Sequence, residues 1–311
     1  MKIAVTGGAG FIGSHIVDAY IEEGHEVVVI DNFSTGRREN VHPLAKIVEM
    51  DIADPAIADV FAEEKFDVLN HHAAQTNVRH SLEHPESDIQ TNIIGSLNLF
   101  EAARKTGVKK IIFASSGGAI YGQQHFFPAD ERHSKRPLSP YGVSKLWGEK
   151  FLVYYRLVRE IPHVSLRYTN VYGPRQNPKG EAGVIAIFIS KMLRGESPVI
   201  YGDGTQSRDF LYVADAVQAN LIGLRDDAYG IFNCSTAFEL SINTLFQLLK
   251  HLMQFEGEPI YADPIPGEVE RSVCSYRKLR RSLGWTPKVD IEEGLRRTIE
   301  WFRAHPEYWQ S

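Results

Sequence analysis

The stretch Thr6-Gly7-Gly8-Ala9-Gly10-Phe11-Ile12-Gly13 comes directly after the apolar run Ile3-Ala4-Val5 and opens a helical pattern reaching about Glu23. An ordinary strand-to-helix turn does not require three glycines at this spacing. A phosphate cradle does: without Cβ atoms the backbone can approach a pyrophosphate, and the helix N-terminus adds N–H donors and the positive end of its dipole. The order of strand, glycine loop and helix therefore predicts the first unit of a nucleotide-binding parallel sheet.

The following residues repeat that unit. Short apolar runs stand at Val27-Val28-Val29-Ile30, Lys46-Ile47-Val48-Glu49, Asp67-Val68-Leu69-Asn70, Lys110-Ile111-Ile112-Phe113 and His163-Val164-Ser165-Leu166-Arg167. A helical pattern from about Asn92 to Thr106 separates the fourth and fifth strands. Strands alternating with helices imply βαβ units. The expected fold is α/β, a Rossmann-type doubly wound parallel sheet. After about Tyr172 glycine, proline and charge interrupt the rhythm at 173–174, 177–178 and 202–204, and helical patterns return near 184–194, 213–225, 241–255 and 291–303. The expected division is a dinucleotide domain over 1–172 and a smaller mixed α/β domain over 173–311. Ile231-Phe232-Asn233 is a candidate to return to the first sheet.

Composition narrows the classes. The 311 residues are 43% hydrophobic and 23% charged, as in an ordinary globular protein, and the net charge of −5 argues against a general nucleic-acid binder. Cys234 and Cys274 are the only cysteines, without C-x-x-C or zinc spacing, which predicts no thiol metal site and fits a reducing cytoplasm. The run before the glycines is too short for a signal peptide or a membrane span. His71-His72 and the other histidines read as structural, because acidic partners at ligand spacing are absent.

Asp31 ends the second strand, 18 residues beyond Gly13, and Asn32 follows it. A carboxylate there accepts hydrogen bonds from ribose hydroxyls and repels a 2′-phosphate, so NAD is expected rather than NADP. Arg37 and Arg38 are the residues that would argue the other way. Asp51-Ile52, ending the third strand, is placed to meet an adenine; helix capping by Asp51 fits the same sequence.

At 139–145 the chain reads S-P-Y-G-V-S-K. Ser139 suits an N-cap and Pro140 the first helical position, so a helix is expected from there to about Arg159. It carries an apolar stripe of Val143, Trp147, Phe151, Tyr154 and Val158. Tyr141 and Lys145 fall roughly opposite, and Leu152 and Tyr155 also lie off the stripe. Such a helix has two non-polar sides, one for its own sheet and one for a partner chain. Tyr and Lys four apart are by themselves an ordinary surface pair.

The wider context changes that reading. T-G-G-A-G-F-I-G at 6–13, D-N at 31–32, H-H-A-A-Q at 71–75, S-S-G-G-A-I-Y-G at 115–122, Y-G-V-S-K at 141–145, L-R-Y-T-N-V-Y-G-P-R at 166–175 and R-D-F-L-Y-V-A-D at 208–215 occur in order along most of the chain. Together they resemble the extended short-chain dehydrogenase/reductase superfamily and, within it, the UDP-glucose 4-epimerase group of nucleotide-sugar enzymes. The resemblance implies tightly held NAD, regenerated in every cycle, a UDP-sugar substrate, a cytoplasmic homodimer and epimerisation at carbon 4 through a 4-keto sugar. It implies Tyr141 as the proton-transferring phenol, with a pKa lowered by a nearby ammonium and by the nicotinamide charge. It implies Lys145 on the nicotinamide ribose and a Ser or Thr on the sugar oxygen. The usual position of that hydroxyl holds Gly117, so Ser116 is expected to reach the site through a one-residue bulge.

By the same resemblance Gly7, Gly10, Phe11, Ile12, Gly13, Asp31, Asn32, Asp51, Ile52, Ala73, Ala74, Gln75, Asn92, Tyr141, Lys145 and Tyr168 face the cofactor; core packing is the ordinary alternative for Tyr168. Asn170 and Arg208 are implied for the diphosphate. Many relatives carry Arg where Ile265 stands, and Arg271 is a candidate to replace it. Ser272 falls where a bulky residue can close the sugar pocket, so its small side chain predicts room for an N-acetyl group. The absence of a carboxylate at 117–119 disfavours dehydration and decarboxylation. Another nucleotide-sugar oxidoreductase, a UDP-glucuronate 4-epimerase and a catalytically silent NAD-binding regulator remain the alternatives; the last need not keep Tyr141, Lys145, Asn170 and Arg208 together.

Overall fold

The structure is a computed structural model that describes residues 1–179, 183–265 and 269–310. The first half alternates as its periodicity predicts: β1 (Lys2–Thr6), α1 (Phe11–Glu22), β2 (Glu26–Asp31), β3 (Lys46–Glu49), α2 (Ile57–Glu64), β4 (Val68–His71), α3 (Val78–Glu83), α4 (Pro85–Asp88), a π-helical turn Ile89–Gly95, α5 (Ser96–Thr106), β5 (Lys110–Ser116), α6 (Pro140–Arg159) and β6 (His163–Tyr168). The remainder contains β7 (Asn170–Tyr172), α7 (Val184–Leu193), β8 (Val199–Tyr201), β9 (Ser207–Tyr212), α8 (Val213–Gly223), β10 (Gly230–Cys234), β11 (Glu239–Ser241), α9 (Ile242–Met253), β12 (Ile260–Ala262), β13 (Arg271–Ser272), α10 (Arg277–Leu283) and α11 (Ile291–Ala304).

Seven parallel strands form the main sheet in the order β10-β6-β5-β4-β1-β2-β3. Its strands other than β3 are largely buried on both faces, which explains their apolar runs, whereas β3 at the sheet edge is mostly exposed. Ile3, Val5, Val27 and Val29 pack in one layer with Ile16, Val17 and Tyr20 of α1. Ala4, Val28, Ile30 and Leu69 pack in the other with Phe61, Leu99 and Phe100. β1 and β2 thus each feed two cores with period two. β10, which contains Ile231-Phe232-Asn233, pairs with β6 at the sheet edge. The strand order reverses between β1 and β4, and a crevice at the carboxyl ends of such strands is where ligands bind.

A second core gathers Tyr172, Phe188, Phe210, Tyr212, Leu245 and Phe302. It supports a smaller sheet in which β9 pairs with β7, β11 and β13. α6 begins as its sequence predicts: Ser139 Oγ accepts from the N–H of Gly142 at 3.2 Å, and Pro140 occupies the first turn.

Candidate active site

A cleft of about 860 Å³ runs along the carboxyl ends of the main-sheet strands, from the glycine loop to the start of α6. The glycines are there for space. Gly7 has φ +68°, and a Cβ on Gly13 would lie 2.1 Å from the Gly7 carbonyl oxygen, so loop and helix can meet this closely only without side chains. A Cβ on Gly10 would meet only the Gly7 oxygen, at 3.2 Å, and otherwise project into the cleft. The α1 N-terminus therefore opens onto a space shaped for a pyrophosphate. Asp31 closes the loop from β2. Its Oδ2 accepts from the N–H of Ala9 at 3.0 Å and its Oδ1 from that of Phe33 at 2.9 Å. Asp51 lines the cleft beside Ile52, accepts from Asn32 Nδ2 at 2.9 Å and from the N–H of Ala53 at 2.8 Å, and caps no helix, since α2 begins only at Ile57.

Phe11, Ile12, Asn32, Ala73, Ala74, Gln75 and Tyr168 also line this cleft; Asn92 does not. Asn92 sits in the π-helical turn, with Oδ1 accepting from the N–H of Gln75 and Nδ2 donating to the Gln75 carbonyl, both at 2.9 Å. It holds the Ala73–Gln75 segment in place from behind. Tyr168 both lines the cleft and belongs to the main core; its hydroxyl accepts from Asn220 Nδ2 at 2.7 Å.

Ser116, Tyr141 and Lys145 converge at the inner end of the cleft. Ser116 ends β5 and its hydroxyl accepts from the N–H of Ala119 at 3.2 Å. Its side chain also hydrogen-bonds Tyr141. The residue at the end of the strand reaches the phenol directly, while Gly117 turns back to donate its N–H to the Tyr168 carbonyl at 2.7 Å. One electrostatic expectation needs correction. Lys145 Nζ lies 5.8 Å from the Tyr141 ring centre. In the protein alone burial outweighs any pull of the ammonium on the phenol. Burial pushes Tyr141 up to about 12, with Ser116 pulling the other way. Lys145 is buried and moves down to about 8, opposed by the negative charge of Asp88. His72 is held neutral near 3 by burial and then by Lys145, and His71 is shifted the same way.

Beneath this group lies a buried ion pair. Glu149, one helical turn beyond Lys145, receives Arg167 through two bonds of 2.7 Å, and the two side chains are 1% and 3% exposed. Ser115 donates to Glu149 at 2.6 Å, and Arg167 donates to the Tyr121 hydroxyl at 2.7 Å. The pair fastens β5, α6 and β6 together directly under Ser116, Lys145 and Tyr168.

The residues expected at the substrate end lie beyond the described cleft. Asn170 is on β7 and Arg208 on β9, and the register pairs Asn170 with Phe210 and Ser272 with Arg208. With alternating side chains, this places Asn170, Arg208 and Ser272 on one face of the second sheet. Ser272 is buried, and its hydroxyl has no hydrogen-bond partner among the described residues. Arg271 is ion-paired with Glu239 at 2.5 Å and lies 3.8 Å over the Phe127 ring, away from the cleft. Ile265 is described; the glycine two residues after it lies outside the described residues.

Sequence reading missed the Ser34-Thr35-Gly36 loop with Asn40, and Gln176 across the cleft. The small residues after Asp31 were a usable signal; Gln176 gave none. Among the described residues no group of three or more His, Cys, Asp or Glu could hold a metal ion.

Residues 3–235 match the sequence profile of the NAD dependent epimerase/dehydratase family. The structure is similar to that of UDP-glucose 4-epimerase from Thermotoga maritima, solved with UDP-glucose: TM-score 0.97, 46% identity, 98% of this chain and 100% of that one. It is similar to the Thermus thermophilus UDP-glucose 4-epimerase solved with NAD, at TM-score 0.93 and 42% identity over 97% and 99% of the two chains. A UDP-N-acetylglucosamine 4-epimerase from Methanobrevibacter ruminantium aligns with TM-score 0.93 and 38% identity over 98% of each chain.

Proposed function

The chain belongs to the NAD-dependent epimerase/dehydratase family, and from this premise we propose that it interconverts UDP-hexoses at carbon 4. The observation that carries the reading is one cleft with a pyrophosphate-shaped loop and Asp31 at one end and Ser116, Tyr141 and Lys145 at the other. Gly7, Gly10, Gly13, Asp31, Asp51 and the Ala73–Gln75 segment would hold NAD. Bound NAD supplies a reversible hydride acceptor for carbon 4.

The chain's own residues do the rest. Tyr141 takes the proton from the hydroxyl on carbon 4 and returns it after the 4-keto sugar has turned over. Ser116 donates its one O–H to the phenolate while Tyr141 is deprotonated and to the sugar oxygen once Tyr141 holds the proton. Lys145, buried and cationic below its pKa near 8, lowers the energy of the phenolate once the site is closed to water. Arg208 and Asn170 face the diphosphate from the second sheet; a guanidinium suits phosphate geometry. The small Ser272, in register with Arg208, leaves room for an N-acetyl group, so both UDP-glucose and UDP-N-acetylglucosamine are turned over.

The cofactor stays bound through the cycle. Within residues 173–311, β9, β11 and β13 with α7, α9 and α11 act as the substrate-binding unit, whereas β10, α8 and α10 join the main sheet and its core. Val143, Tyr154, Leu157 and Val158 form an exposed apolar stripe on α6, and we assign it to the contact between two copies of the chain in a cytoplasmic homodimer. No helix among the described residues is long and apolar enough to cross a membrane.

Proton NMR of the purified protein with UDP-glucose and no added NAD tests the reading. UDP-galactose growing to equilibrium supports it. No product, with or without added NAD, sinks it.

A further inference from the structure

The glycine loop is tied to a residue far away in sequence. After α11 the chain makes a short turn, Pro306–Tyr308, and the Tyr308 side chain is 4% exposed. Its hydroxyl donates to Asn40 Oδ1. Asn40, 7% exposed, donates from Nδ2 to the Ala9 carbonyl at 3.3 Å. The N–H of Arg37 donates to the same carbonyl at 3.0 Å, and the Arg37 guanidinium lies 4.0 Å over the Tyr308 ring. Ala9 in turn donates to Asp31. One chain of contacts therefore runs from Tyr308 through Asn40 and Ala9 to Asp31.

The far end is anchored as well. Trp309 donates its indole N–H to the Phe302 carbonyl at 2.7 Å, and Arg194 donates to the Trp309 carbonyl at 2.7 Å. The Trp301 ring packs edge-on against Tyr308 at 4.6 Å. By contrast, the segment between β2 and β3 contains only a three-residue 3₁₀ turn at Arg38–Asn40, yet Ser34, Thr35, Gly36, Arg37 and Asn40 all line the cleft. Such a segment takes its order from the groups that hold it.

We infer that Tyr308 is a positioning residue for the dinucleotide: it holds the 34–40 loop closed beside the glycine loop, so that NAD is retained between turnovers. The inference rests on the reading that this cleft holds NAD. A loop ordered on folding does not have to be ordered again on binding, and a loop that stays closed slows release. Retention matters here because the hydride taken from a sugar must return to that same sugar.

The test measures release of NAD, not activity. Purified protein is loaded with radiolabelled NAD, chased with unlabelled NAD and sampled by rapid gel filtration. Tyr308→Phe loses only the bond to Asn40, and loss of a hydrogen bond of ordinary strength predicts roughly fivefold faster release. Tyr308→Ala also loses the ring beneath Arg37 and is expected to release NAD roughly tenfold faster or more. The KM for UDP-glucose should stay within about twofold, since the proposed diphosphate residues are on another sheet. Release from Tyr308→Phe within twofold of wild type overturns the inference, and so does faster release accompanied by an equal rise in that KM, the mark of general loosening. Should Tyr308→Ala fail to fold, the Phe variant decides alone. Wild-type protein that neither retains nor rebinds NAD removes the dinucleotide reading itself; wild type and variants holding NAD equally well remove only the role of Tyr308.

Discussion

Glu149 carries no proposed chemistry, yet its loss is expected to be among the most damaging single changes near the site. In Glu149→Ala the Arg167 guanidinium, 3% exposed, keeps its charge and loses both 2.7 Å bonds, and the Ser115 hydroxyl loses its acceptor. Breaking a buried pair from one side costs about 3–5 kcal/mol, because an uncompensated charge stays behind. For 311 residues at about 2.1 cal/mol/K each, the unfolding entropy near the melting point is about 0.65 kcal/mol/K, which predicts a fall in Tm of roughly 5–8 °C. Scanning calorimetry at saturating NAD reads this directly. Removing both partners, as in Glu149→Leu with Arg167→Met, leaves no orphaned charge and should recover most of the loss. Turnover of the single variant should also fall by ~10- to 100-fold, since an ångström of displacement in Ser116 or Lys145 is enough for that. A loss of Tm under 2 °C in the single variant, or a double variant as unstable as the worse single one, would refute the reasoning.

Four further outcomes are expected. Tyr141→Phe should lower kcat by at least about 10²-fold while the purified protein still carries NAD; unchanged turnover removes Tyr141 from the mechanism. Activity should fall as pH rises through about 8, where Lys145 loses its proton, and Asp88→Asn, which removes the charge favouring the ammonium, should move that limb to lower pH. A limb that does not move means that Asp88 does not act on Lys145. In Gly13→Ala the added Cβ would sit 2.1 Å from the Gly7 oxygen, so this variant should purify without NAD and rebind it weakly; absorbance and acid extraction check this. Ser272→Tyr should suppress turnover of UDP-N-acetylglucosamine far more than that of UDP-glucose, and equal loss of both would place the N-acetyl group elsewhere.

What could be read from the sequence divides along a physical line. The main sheet was legible because its central strands bury both faces and appear as apolar runs, and because loop, helix and carboxylate follow one another within the first 31 residues. The helix that carries Tyr141 and Lys145 was legible from its Ser139-Pro140 start, but the pair stood out only through the wider set of motifs. α2, α3 and α4 were missed because helices of 8, 6 and 4 residues are too short to show a period. Asn92 lies behind the cleft with its amide on the backbone of Gln75, and no local pattern distinguishes a residue that lines a cleft from one that holds the residue that does.

The substrate half was harder to read for a related reason. β13 is two residues long and takes its place by pairing with β9, about 64 positions earlier. The loop after β5 joins it, with the N–H of Ala129 donating to the Val273 carbonyl at 2.9 Å and that of Ser275 donating to the Ala129 carbonyl at 2.8 Å. Asp209 lies where these segments meet. It is fully buried, and it accepts from Thr169, Thr236, Ala237 and Cys274. Burial raises its carboxyl to about 6 against those donors. One side chain thus joins the ends of β6, β10 and β13 to the strand that carries Arg208. The amino-acid pattern around Asp209 cannot reveal this, because every one of those partners is at least 27 residues away. The position of Arg208 is therefore a tertiary property, and substitutions at Asp209 should weaken UDP-sugar binding before they weaken NAD binding. Isothermal titration of Asp209→Ala with UDP and with NAD decides it: equal losses would make Asp209 a general stabiliser, whereas a loss confined to UDP would make it the support of the diphosphate site.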